Sequence, residues 1–273
     1  MRREIEEISR VVDSLRPDVV DSAVARLVED VSVDLALPPA AAETLRQYAG
    51  ACGVAQMVGV LVYEAPAIRP PNYLIEPVGA DVAASYGFDS QDEPRVRVSD
   101  AEIGALYEFG KFTSGPGRAA LGSFYTLIIH ELAHHLEFAY GLHPLIAGWA
   151  REYLLRPRYP GDPYRSGGYA ARQYTHGGIG AEAFSMALET LAGRAWKAAW
   201  HRPGSTADPA GVLYDLMYVE PWHADLLAEI ALPAALSVLG VWGLDSQPAD
   251  PFGLLRPYLD TAGMVRALTE GRP

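Results

Sequence analysis

The stretch SFYTLIIHELAHHLEFAYG, residues 123–141, decides how this chain is read. Its centre is His130-Glu131-Leu132-Ala133-His134. The flanking residues form an uninterrupted apolar run, and Gly141 follows as a natural helix stop. A helix turns once in about 3.6 residues, so the two imidazoles four residues apart share one face. Two histidines so placed bind one zinc ion, with the adjacent glutamate as general base. His135 points about 100° around the helix and is excluded from that face.

A catalytic zinc takes three protein ligands and keeps a fourth position for water. Position 140, where one large metalloprotease class carries a third histidine, is Tyr140, so that class is excluded. Glu182, in GIGAEAFSMALETLAG, is the preferred third ligand. It opens a helical run after a glycine-rich turn, and a carboxylate with two imidazoles is a recurrent catalytic set. His176 is the chemical competitor. Glu189, seven residues beyond Glu182 on the same face, is read as a partner for a ligand histidine or as a solvated residue.

HELAHH, followed some forty residues later by Tyr174, seven intervening residues and Glu182-Ala183-Phe184, resembles the glutamate-zincin metallopeptidases. The lethal-factor-like branch is the nearest likeness, and the resemblance covers about residues 55–200. It implies His130, His134 and Glu182 as zinc ligands, Glu131 as the base and Tyr174 as the phenol facing the oxyanion. Two features depart from the family pattern. The tyrosine–glutamate interval is one residue longer, and Met186 stands where an acidic residue usually follows, leaving Ser185 or Glu189 to support the ligands. His176 and His223 remain alternative oxyanion donors, and Tyr164 and Tyr169 are nearby rival phenols. The resemblance also implies a substrate-pairing strand before the zinc helix, expected at Arg95–Val98.

The remainder of the chain is read around this centre. The 273 residues are 49% hydrophobic and 21% charged, ordinary for a globular protein with a sizeable core. A net charge of −12 disfavours a nucleic-acid or anionic-membrane surface. Cys52 is the only cysteine, which excludes an internal disulfide and a cysteine zinc site. The charged N-terminus is unlike a signal peptide, and the apolar run 226–244 contains Glu229 and Pro233, so it reads as a buried helix. A cytoplasmic protein is expected, with export by a route lacking an N-terminal signal left open.

Residues 1–50 are read as a helical cap, with a helix over residues 5–15, a second capped by Asp18 or Asp21, and a third after Pro38-Pro39. MVGVLVYE, residues 57–64, is read as a strand because it is rich in β-branched residues. Asn72–Val78 and Pro94–Val98 are further strands, and 101–109 is a helix capped by Ser99 or Asp100. The zinc helix is expected over 117–140, the irregular segment 156–180 is a candidate lid, and a helix is expected over 181–200.

The expected fold is α+β: a zincin-like core over 51–200 with a small mixed sheet on the HExxH helix, helical additions over 1–50 and 201–273. The expected activity is zinc-dependent endopeptidase action on a peptide or protein. The alternatives are a zincin scaffold repurposed for regulation or recognition, and a zinc amidohydrolase acting on a small-molecule amide. The sequence gives no indication of oligomeric state.

Overall fold

The computed structural model describes residues 13, 16–64, 68–77, 82–139, 173–174, 178–179, 182, 185, 188–189 and 192–193. The expected helices over 5–15 and beyond 200, the greater part of the 156–180 segment, and Tyr140 lie outside these residues.

Helix α1, Pro17–Asp34, buries Val20, Ala23, Val24, Leu27, Val28 and Val31. These recur at the three- and four-residue spacing of one helical face. Its start corrects the expected cap at Asp18 or Asp21. Pro17 occupies the first turn and Arg16 flanks it without a side-chain cap, because a residue with no N–H and a preset φ suits that position by itself. Asp18 sits inside the first turn, paired with Arg16. Pro38-Pro39 separates α1 from α2, Pro39–Ala51, whose inner face is Ala41, Thr44, Leu45, Tyr48 and Ala49.

The segment expected as a strand at 57–64 is instead helix α3, Gly53–Tyr63. Val54, Ala55, Met57, Val58, Val60, Leu61, Val62 and Tyr63 are all buried. A run buried on every side has no polar face, so periodicity cannot separate helix from strand, and β-branched content misleads. Packing selects the helix. α3 lies against α1, where the Cβ of any residue replacing Gly59 would stand 3.4 Å from the Ala23 carbonyl group.

Three short strands form a mixed sheet: β1, Asn72–Ile75; β2, Ala84–Phe88; and β3, Pro94–Val98. Their spatial order is β1-β3-β2, with β3 parallel to β1 and antiparallel to β2. Val96 and Val98 face the core beside Tyr73 and Ala84, while Arg95 and Arg97 alternate to the opposite face and pair with Asp89 and Glu76. β3 is therefore central and bonded on both sides. It cannot accept a further strand, which corrects the expectation of substrate pairing at Arg95–Val98. The outer strand beside the helix that carries HELAHH is β2.

Helix α4, Asp100–Glu108, is capped by Ser99, whose hydroxyl accepts the Glu102 N–H at 3.3 Å. Helix α5, Gly115–Ala139, carries the HELAHH stretch across the inner face of the sheet and against α3. Gly117 is required at its start, because a Cβ there would lie 1.8 Å from the Lys111 carbonyl oxygen. Two residues each of β4, Gln173–Tyr174, and β5, Gly178–Ile179, form an antiparallel ribbon. Ser185, Leu188, Glu189, Ala192 and Gly193 have helical backbone. The described residues are thus α+β, with a buried apolar cluster running from Val20 to Ala192. Among the described residues, no helix is long and apolar enough to cross a membrane.

Candidate metal centre

α5 is almost wholly buried around its midpoint. Ile128, Ile129, Leu132, Ala133 and Leu136 anchor it in the core. This fixes the rotation of the helix and turns His130 and His134 toward the segment that carries Glu182 and Glu189. The two imidazoles stand 4.9 Å apart, nearly perpendicular. Glu182 Oε2 lies 3.0 Å from His130 Nε2 and 3.3 Å from His134 Nε2. One ligand atom from each of the three residues lies within 4.8 Å of the others.

The residues around this triad orient it. Glu189 Oε2 is 2.9 Å from His130 Nδ1. A carboxylate only accepts, so Nδ1 carries the proton and donates, and in the neutral ring Nε2 keeps its lone pair for a metal. Ser185 Oγ donates to the Glu182 carbonyl at 3.0 Å and approaches Glu182 Oε2 at 3.5 Å. Ser185 and Glu189 thus stand beside the ligands where Met186 supplies no carboxylate. Glu137, one turn after His134, is fully buried with Oε2 3.8 Å from His134 Nδ1. Glu137 was not singled out in the sequence, although its position three residues after His134 placed it within reach.

The electrostatics follow from packing carboxylates and imidazoles into one buried volume. Burial opposes the charge of His130, but Glu189 and Glu182 outweigh it and raise its pKa well above the usual value. Burial likewise opposes His134, and the carboxylates of Glu137 and Glu182 raise it to about 9. Burial pushes Glu182 up, but its hydrogen bonds from both histidines prevail and hold it well below the carboxylate range. Burial raises Glu131 against the pull of His130 and His134. A buried carboxylate with a raised pKa suits a proton acceptor.

The three residues could hold a metal ion. Tetrahedral zinc bonds of 2.0–2.1 Å put ligand atoms about 3.3 Å apart; Glu182 Oε2 stands at 3.0 and 3.3 Å from the two ring nitrogens, and the three ligand atoms lie within 4.8 Å of one another. Charge also fits. Glu131, Glu182, Glu189 and Glu137 surround two imidazoles that are neutral when they act as ligands, and a divalent cation offsets that excess.

His135 faces away from the triad. Its Nδ1 lies 3.3 Å from the Tyr86 hydroxyl on β2, and burial lowers its pKa to about 4, so it is neutral at physiological pH. Tyr86 is a contact that the sequence did not signal, because β2 itself was not anticipated. Tyr174 belongs to β4 by its backbone, and its side chain is outside the described residues, as are His176, His223, Tyr164 and Tyr169.

Cys52 is buried. Its thiol lies 3.4 Å from the Tyr48 hydroxyl, which donates to the Ala192 carbonyl at 3.2 Å and so ties α2 to the helical segment carrying Glu189. No protein family, no curated protein and no solved structure matches the chain.

Proposed function

We propose that this chain is a zinc-dependent endopeptidase of the glutamate-zincin type. One observation carries the reading: a single carboxylate oxygen of Glu182 lies within 3.3 Å of the Nε2 atoms of both HExxH histidines. His130 Nε2, His134 Nε2 and Glu182 would hold the ion. When bound, zinc supplies an acidified water and a Lewis-acid contact for the scissile carbonyl.

The protein's own groups do the rest. Glu131 accepts a proton from the attacking water at a carboxylate oxygen and delivers it to the leaving amine nitrogen as the C–N bond breaks. Glu189 holds the His130 ring in the tautomer that presents Nε2, and Ser185 donates to the backbone carbonyl of Glu182. A donor facing the oxyanion is assigned to Tyr174, with His176 and His223 as the alternatives in the same role. The outer edge of β2, which bears no further strand among the described residues, is the place for an extended peptide to pair.

The test is cleavage of unfolded casein by zinc-loaded wild type and Glu131→Gln. Hydrolysis that falls by at least a hundredfold in the variant, with zinc content unchanged, supports the reading. Full zinc occupancy with no peptide or protein cut by the wild type would instead leave a zinc-binding scaffold.

A further inference from the structure

Tyr86 and Phe88 alternate onto one face of β2, and Phe138 lies near the C-terminal end of α5. Phe138 follows His134 by four residues, which places it about 6 Å further along the axis on the same side of the helix. The three rings form one cluster. Tyr86 stacks on Phe138 with centroids 5.8 Å apart, Phe88 meets Phe138 edge-on at 6.0 Å, and Tyr86 meets Phe88 edge-on at 5.5 Å.

This cluster is ordered by its own contacts yet exposed on its outer side. Phe88 is 46% exposed and Phe138 is 42% exposed. Exposed apolar surface gathered in one place is a candidate binding surface. Its position suggests an occupant. The ledge adjoins the outer backbone edge of β2; Tyr86 also packs on His135, the residue next to His134, and Phe138 lies one helical turn after His134. An extended chain paired with β2 directs every second side chain to the face where Tyr86 and Phe88 lie.

We propose that Tyr86, Phe88 and Phe138 form a specificity subsite that takes an aromatic or bulky aliphatic side chain of the chain held at the metal centre. The inference rests on the peptidase reading given above. Aromatic faces grip apolar and aromatic side chains and lose little entropy in doing so, because two torsions fix each ring.

The test separates this subsite from the chemistry. Zinc-loaded Glu131→Gln protein retains the site without turnover. It is titrated with end-blocked octapeptides in which Phe, Leu, Ala or Glu is placed at each position in turn. At one position, Phe and Leu peptides bind roughly tenfold more tightly than Ala peptides. Adding Phe88→Ser or Phe138→Ser, both at exposed positions, brings that ratio close to one while zinc content stays unchanged and the protein remains folded. A ratio that survives both substitutions overturns the inference, as does a parent protein that shows no preference. Equally contrary is a serine variant that turns a dimer into a monomer while peptide preference persists, since the ledge then serves self-association. Preference without cleavage by the wild type would retain the ledge and refute the peptidase reading. Cleavage without preference would do the reverse.

Discussion

At the residue scale the centre depends on where protons sit. Glu182 Oε2 contacts two ring nitrogens at 3.0 and 3.3 Å, and the Glu189 carboxylate fixes the outer nitrogen of His130. In the metal-free protein both histidines have pKa values raised above the ordinary 6.5, to about 9 for His134. A raised folded pKa adds stability that is fully present below the unfolded value and is lost as pH rises through the folded one. Glu182, whose pKa is lowered from 4.5, contributes stability present above that value and lost as the pH falls. The metal-free protein should therefore melt at progressively lower temperature between pH 6.5 and pH 9, with a flatter profile once zinc is bound. A metal-free melting temperature that rises over this interval would contradict the ion-pair description.

A zinc ion held by this centre would compete with protons for the same nitrogen atoms. Calorimetric titration of zinc at pH 7.5 in buffers of different ionisation enthalpy should register proton release on binding. Glu189→Gln keeps the size of the side chain but weakens its hold on His130 Nδ1, and should lower zinc affinity by roughly ten- to a hundredfold. An unchanged dissociation constant would show that Glu189 does not position the ligand.

At the scale of elements, α5 was legible because its sequence shows a long uninterrupted apolar run around the two histidines. Gly117 adds a constraint that only the structure reveals, since a Cβ would collide with the Lys111 carbonyl oxygen. Gly117→Ala should lower stability by about 3 kcal/mol, as expected for overpacking against backbone, with denaturant unfolding as the check. A loss below about 0.5 kcal/mol, the range of a neutral surface substitution, would mean that the turn before α5 is not packed as described. By contrast, α3 was misread because it is buried all round, and β2 was missed because five residues containing Gly87 show little alternation. Strand order was equally hidden. β3 follows β2 in the chain but lies between β1 and β2 in space, and no local pattern of residues says which of three short strands takes the middle.

At the scale of the whole molecule, the site joins α5 to a segment about fifty residues further along the chain. His130, Glu131 and His134 could be read from spacing alone. Glu182 could be ranked by chemistry, but only the fold places its oxygen between the two rings. The phenol of Tyr174 belongs to neither category. Long-range ties hold the two halves in register, and the buried Tyr48 hydroxyl that donates to the Ala192 carbonyl is one of them. Tyr48→Phe leaves that buried carbonyl without this donor and should cost roughly 1–3 kcal/mol in unfolding free energy. No change in stability would show that this tie does not hold the segment in place.

The most direct test of the metal centre is zinc stoichiometry by equilibrium dialysis in the wild type, Glu182→Ala and His176→Ala. One zinc ion per chain is expected in the wild type and in His176→Ala, with loss of stoichiometric zinc in Glu182→Ala. Zinc retained by Glu182→Ala and lost from His176→Ala would contradict the assignment of Glu182 as the third ligand.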